Sequence, residues 1–150
     1  MQFVKESVIR AAPERVWAFH ELPDALERLT PPWEAVRVVE KAQGLQVGSR
    51  VIIETRLFGV VPARWTAEHT RYEPPHIFED IQLSGPFKTW RHRHIIEVHP
   101  EGATLRDEVE YEPPFAFVGK FVAPFVIVPR LEHMFQYRHG VTRRWCENKS

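Results

Sequence analysis

Hydrophobic and polar positions change their spacing along the chain, and each change predicts a new element. Gln2 to Arg10 reads as a strand, with Phe3, Val4, Val8 and Ile9 as its apolar members. Ala12-Pro13-Glu14 opens a helix. Proline is tolerated there because the first helical turn has no N–H partner to lose. Val16, Trp17 and Phe19 give this helix an apolar side, and Pro23-Asp24 restarts it as a second short helix through Leu26 and Leu29. Thr30-Pro31-Pro32 ends it, since the residue before a proline is pushed out of the helical region.

From Ala35 to Tyr111 the pattern is that of strands. Val36 to Lys41, Arg50 to Phe58, Val61 to Tyr72, Ile77 to Leu83, Lys88 to His99 and Thr104 to Tyr111 are rich in β-branched residues or alternate. Gly44, Gly48, Gly59 and Glu73-Pro74-Pro75 mark turns between them. With the first strand, these predict a curved antiparallel sheet of about seven strands.

After Pro113-Pro114 the spacing becomes helical. Val118, Phe121, Phe125, Val128, Leu131, Phe135, Arg138, Thr142 and Trp145 recur every three or four residues. Pro124 and Pro129 predict a kink or an irregular first half. A helix this long needs a large apolar partner, and the concave face of the sheet is the candidate. The fold class is therefore α+β, with two short helices near the N-terminus and one long C-terminal helix across the sheet.

Alternation assigns faces in the last two strands. Trp90, His92, His94, Ile96 and Val98 share one face, and Leu105, Asp107, Val109 and Tyr111 share another. Both sets point inward. A four-residue loop, Pro100-Glu101-Gly102-Ala103, pairs His99 with Thr104, Ile96 with Asp107 and His94 with Val109. Asp107 then lies diagonal to His94. An otherwise apolar inner face thus carries His92, His94 and Asp107, which need partners because unpaired burial costs about 1–3 kcal/mol each.

Composition narrows the picture. The 150 residues suit one domain spanning 1–150, and 20 basic residues offset 20 acidic ones, which gives no footprint for nucleic acid or anionic lipid. The lone Cys146 excludes an internal disulfide framework and suits a reducing compartment. Residues 1–10 lack the apolar block of a signal peptide, and Pro113 to Pro129, with Lys120 and four prolines, is too short and broken for a membrane span. A cytoplasmic location follows as the expectation, as monomer or homodimer.

Three segments resemble a known family. They are Phe78-Glu79-Asp80-Ile81-Gln82-Leu83-Ser84-Gly85-Pro86-Phe87, then Trp90-Arg91-His92-Arg93-His94, then Asp107-Glu108-Val109-Glu110-Tyr111-Glu112-Pro113-Pro114. Together with Ala12-Pro13-Glu14-Arg15-Val16-Trp17 and Leu131 to Arg138, they resemble the SRPBCC superfamily, and more narrowly its bacterial ligand-binding members. The resemblance covers essentially the whole chain. It implies a START-like, or pollen-allergen-like, helix-grip fold with a pocket between sheet and helix. Relatives include polyketide cyclases, coenzyme-Q-binding START proteins and lipid carriers, so the fold implies neither one ligand nor one reaction.

Candidate chemistry follows from the inward residues. Trp90, His92, His94, Asp107, Tyr111, Phe121, Phe135 and Arg138 are the expected ligand-binding set for a small hydrophobic molecule: a lipid, isoprenoid or polyketide. Arg138 either holds a ligand carboxylate or pairs with Asp107, Asp80 or another carboxylate. The alternative is a cyclase or dehydratase in which His94 acts as base and Asp107 orients it. A third reading is a protein-interaction or regulatory module. His92-x-His94 with Asp107 has the facing geometry of a metal site, but the sequence places no further ligand. The histidines therefore read as a hydrogen-bond network, and no metal or other cofactor is expected. Phe115, Phe117, Phe121 and Phe125 read as ordinary packing rather than a mobile gate, and His69, His76, His99, His133 and His139 as surface residues.

Overall fold

The structure is a computed structural model, which describes residues 1–41, 43–57 and 61–148, with backbone alone at 57 and 116–120. The strands are β1 (Gln2–Ile9), β2 (Arg37–Glu40), β3 (Arg50–Leu57), β4 (Val61–Glu73), β5 (Ile77–Ser84), β6 (Thr89–His99) and β7 (Gly102–Glu112). The helices are α1 (Pro13–His20), α2 (Ala25–Leu29) and α3 (Ala116–Glu147). One seven-stranded sheet runs in the order β1-β7-β6-β5-β4-β3-β2. Every pairing is antiparallel. Six strands form a meander, and β1 closes beside β7. This is the helix-grip arrangement. The turn expected at Gly59 lies outside the described residues.

The β6–β7 register differs from the expected one by two residues. His99 pairs with Gly102, Ile96 with Leu105 and His94 with Asp107. Pro100 and Glu101 alone make the turn, because Gly102 is already the first strand residue. Its φ of 143° suits glycine, and a Cβ there would lie 2.5 Å from the Ile9 carbonyl oxygen. A two-residue shift preserves which face each side chain takes. The inward sets therefore stand, except Val98, which is exposed near the end of its strand. Asp107 sits directly opposite His94 rather than diagonal to it.

Helix α3 has 32 residues, about 48 Å at 1.5 Å per residue, and continues through Pro124 and Pro129 without a break. Among its described side chains the buried ones are Ala123, Leu131, Phe135, His139, Thr142 and Cys146. Counting back from Leu131 in helical turns reaches Ala123, while Phe125 lies two residues, about 200°, further round. Phe121 and Phe125 are accordingly 68% and 82% exposed. The expected packing of the Phe-rich segment thus fails for Phe115, Phe121 and Phe125, all of which face solvent; Phe117 lies outside the described side chains. No helix among the described residues is long and apolar enough to cross a membrane.

Two apolar clusters make the core. One gathers Ile9, Val16, Phe19, Ile96, Leu105 and Cys146. The other gathers Phe3, Trp90, Val109, Tyr111, Leu131 and Phe135. On each of the four elements that contribute to both sets a polar residue falls between them: Ser7 on β1, His92 and His94 on β6, Asp107 on β7, and His139 on α3. A polar layer therefore crosses the core at one level.

Candidate functional site

Asp107 is the hub of that layer and is only 4% exposed. Its Oδ1 accepts a hydrogen bond from His92 Nε2 at 2.7 Å, and its Oδ2 accepts one from His139 Nε2 at 2.5 Å. His139 Nδ1 meets Ser7 Oγ at 2.8 Å, which ties the hub to β1. His94 Nδ1 lies 3.0 Å from Asp107 Oδ1. That contact is too poorly aligned for a hydrogen bond, and this buried nitrogen has no hydrogen-bond partner. On its other side, His94 Nε2 lies 3.4 Å from Asp80 Oδ2 on β5. Two further histidines stand nearby. His20, at the end of α1, donates Nδ1–H to the Val16 carbonyl at 2.8 Å, and His69 on β4 reaches the Ser49 carbonyl at 3.3 Å.

Burial and charge compete at each group. Burial pushes the Asp107 carboxyl up, but contacts from His139, His92 and His94 overcome it and hold the acid well below the usual carboxylate range. Asp80 is also lowered, because the favourable histidine contacts outweigh its burial. His92 is lowered by burial and by the neighbouring His94, despite Asp107. Burial also acts against charging His94, yet Asp107 and Asp80 on two sides raise it. His94 is therefore the imidazole that more readily carries the proton. His20 is lowered to about 4, first by burial and then by His94.

A cavity of about 620 Å³ opens between the sheet, α2 and α3, within the size range of small-molecule sites. Its walls are largely apolar, with Trp65, Phe78, Leu131 and Met134 among them, and Asp80, His92 and His94 form a polar wall. Arg138 projects from α3 into the same space. Its Nε donates to the Leu29 carbonyl at 3.3 Å, and it forms no ion pair among the described residues. Burial lowers its pKa from the ordinary arginine value, but a guanidinium stays charged regardless. A depression of about 630 Å³ on the β2–β4 region is lined by Arg37, Glu54 and Arg64, which pair with one another and leave it chemically occupied.

Four of the expected site residues, Trp90, His92, His94 and Arg138, line the cavity. Asp107, Tyr111 and Phe135 are buried behind its wall, so Asp107 reaches the cavity only through the histidines it holds. Phe121 stands outside it, exposed. Arg138 makes no ion pair with Asp107, Asp80 or another carboxylate among the described residues. The reading of His69 and His139 as surface residues is corrected, since they are 8% and 2% exposed. His139 falls four residues after Phe135 on the buried stripe of α3, a signal present in the periodicity. Asp80 and His20 enter the cavity wall without having been expected there as site residues. Asp80 follows Phe78 by two on β5 and so shares its inward face.

Residues 9–132 match the family described as polyketide cyclase / dehydrase and lipid transport. The chain belongs to that family. With it comes membership of the SRPBCC superfamily, as the three sequence segments implied. Among solved structures, this family member is similar to protein CV1439 from Chromobacterium violaceum, with a TM-score of 0.74, 17% identity and 99% of each chain covered. It is similar to TTHA0849 from Thermus thermophilus, with a TM-score of 0.73, 19% identity and 100% of each chain covered. It also resembles the di-domain ARO/CYC BexL from the BE-7585A biosynthetic pathway, with a TM-score of 0.75 and 18% identity, covering 100% of this chain and 51% of that one. At these identities the likeness establishes the shared fold. No curated protein matches the chain significantly.

Proposed function

We propose that this family member binds a small hydrophobic molecule of lipid, isoprenoid or polyketide type, carrying an acidic or carbonyl end. The observation that carries the reading is the cavity of about 620 Å³, largely apolar with a polar wall at Asp80, His92 and His94, and beside it the Arg138 guanidinium, which forms no ion pair among the described residues. Apolar walls supply contact area without direction. Arg138, His92 and His94 supply donors that fix which end of the ligand points inward. A buried guanidinium favours a planar carboxylate, which it can grip with two parallel hydrogen bonds. The buried Cys146, free of any disulfide, fits a cytoplasmic setting.

A matched ligand series tests this by calorimetry: long-chain or aromatic acids against their primary amides. Arg138→Gln is expected to weaken acids by about tenfold or more, as 1.4 kcal/mol of a charge-assisted contact implies, and to change amides little. Equal loss for both would remove Arg138 from the orienting role.

The second reading is a cyclase or dehydratase, favoured by His94, which faces the cavity with Asp107 directly across the strand pair. His94 would take a proton from an activated carbon of a polyketide-like substrate, and Asp107, 3.0 Å from its Nδ1, would orient it and steady the charge. Turnover of a poly-β-keto substrate that His94→Gln abolishes would support it, whereas full activity in that variant would exclude it.

A further inference from the structure

We propose that Asp80, His92 and His94 form a binding site for a divalent first-row transition-metal cation at the polar wall of the cavity. The sequence placed two histidines on one strand and lacked a further ligand, and the fold provides it from β5. Asp80 pairs directly with His92 across the β5–β6 ladder, and His94 follows two residues on, so all three side chains leave one face of two adjacent strands. One donor atom from each lies within 4.8 Å of the others. That spacing is wider than the about 3–3.5 Å that metal bonds of 2.0–2.2 Å set between neighbouring ligands. His94 Nε2 and Asp80 Oδ2 already stand 3.4 Å apart, so the adjustment an ion requires lies between that pair and His92.

Asp107 already orients the imidazoles for this task. It accepts the His92 Nε2 hydrogen, which leaves the Nδ1 lone pair of that ring for an ion. It also faces His94 Nδ1 at 3.0 Å, which leaves His94 Nε2 directed toward Asp80. A carboxylate behind each ligating histidine is the arrangement that fixes tautomer and ring direction in metal sites. His139 and Ser7 hold Asp107 in turn. The second independent sign is His94 itself: it is nine-tenths buried, and its Nδ1 has no hydrogen-bond partner. The existing network leaves that ring incompletely satisfied, and coordination at Nε2 with a small rotation onto Asp107 would satisfy both nitrogens.

Two imidazoles and one carboxylate suit zinc, iron(II) or cobalt(II) rather than magnesium or calcium, which prefer all-oxygen shells. All three residues line the cavity, so the remaining coordination positions face its interior. There they would accept water or an oxygen of whatever occupies the space. The proposal goes beyond the ligand-binding reading and does not depend on it, because ion binding is measured without any organic molecule.

The test uses chelator-stripped full-length protein titrated with zinc by calorimetry and with cobalt(II) by visible absorption. The expected result is one ion per chain, with cobalt d–d bands of a nitrogen–oxygen site. Asp80→Asn and His94→Gln are each expected to weaken binding by about a hundredfold, and Asp107→Asn by about tenfold through misorientation. His76→Gln, at an exposed histidine, should change nothing. Circular dichroism checks that each variant is folded. If a variant fails to fold, zinc-induced shifts of the His92 and His94 ring nitrogens in the wild-type NMR spectrum decide the matter. No saturable binding, binding indifferent to Asp80→Asn and His94→Gln, or shifts confined to other histidines would overturn the proposal.

Discussion

Replacing Asp107 by asparagine keeps the shape of the hub and removes its charge, so it isolates what the carboxylate contributes. In the wild type both carboxylate oxygens accept, from His92 at 2.7 Å and from His139 at 2.5 Å. An asparagine offers one oxygen and one NH2 group, so one of the two histidines meets a donor where it had an acceptor. A hydrogen bond to a charged group contributes about 1.5–3 kcal/mol, and breaking a buried pair from one side costs about 3–5 kcal/mol. Taking the overlap, Asp107→Asn is expected to destabilise the fold by about 3 kcal/mol. Urea denaturation at neutral pH, with chelator present, measures this. With a slope near 2 kcal/mol/M the midpoint falls by about 1.5 M, and the slope itself stays unchanged. The sign of the pH dependence is also set. The folded carboxyl lies below its ordinary value of 3.8, so its contribution is complete above that pH and is lost as pH falls through the folded value. The deficit of the variant should therefore persist down to about pH 4 and shrink only in stronger acid. A loss under about 0.5 kcal/mol, the size expected of an ordinary surface change, would refute the hub.

Other consequences can be read from the same structure. His20 is held at about 4 against an ordinary 6.5, so the unfolded chain takes up the proton first as pH falls. The stabilisation is full above pH 6.5 and is lost through pH 4, about 3 kcal/mol in all; His20→Leu should lack this component in urea melts at pH 7.5 and pH 4 run with chelator. Gly102→Ala places a methyl group against the Ile9 carbonyl at 2.5 Å with a φ that side chains avoid, and a loss of about 2 kcal/mol or more should appear in its melting temperature. Phe125→Ser, at an 82% exposed position, should leave stability within about 0.5 kcal/mol in the same assay, and a larger loss would mean that the first half of α3 packs inward.

The fold was legible because its signals are periodic and survive local error. The inward faces of β6 and β7 were assigned from alternation, and a two-residue mistake in the hairpin left them intact, since the side-chain period is also two. What that mistake changed was the partner of His94, which depends on where the turn begins. That in turn rests on how Gly102 meets Ile9, a contact across most of the chain. The site was half legible for a related reason. His92 and His94 announce themselves as neighbours on one strand, whereas His139 and Asp80 matter only through residues 32 and 14 positions away. Phe121 was misplaced because the first half of α3 turns Phe121 and Phe125 away from the sheet. A single stripe drawn through the whole helix does not allow for that.

The central claim is that the space between sheet and helix is a binding cavity, and filling it is the most direct test. Ala67 on β4 faces that cavity. The decisive measurement is the fluorescence isotherm of an anilinonaphthalene sulfonate, an apolar anion, on the wild type and on Ala67→Phe. The account predicts saturable binding of one probe per wild-type chain, weakened by about tenfold or more in the variant, a change of at least 1.4 kcal/mol. The absence of saturable binding to the wild type, or an unchanged isotherm in a folded Ala67→Phe, would contradict it.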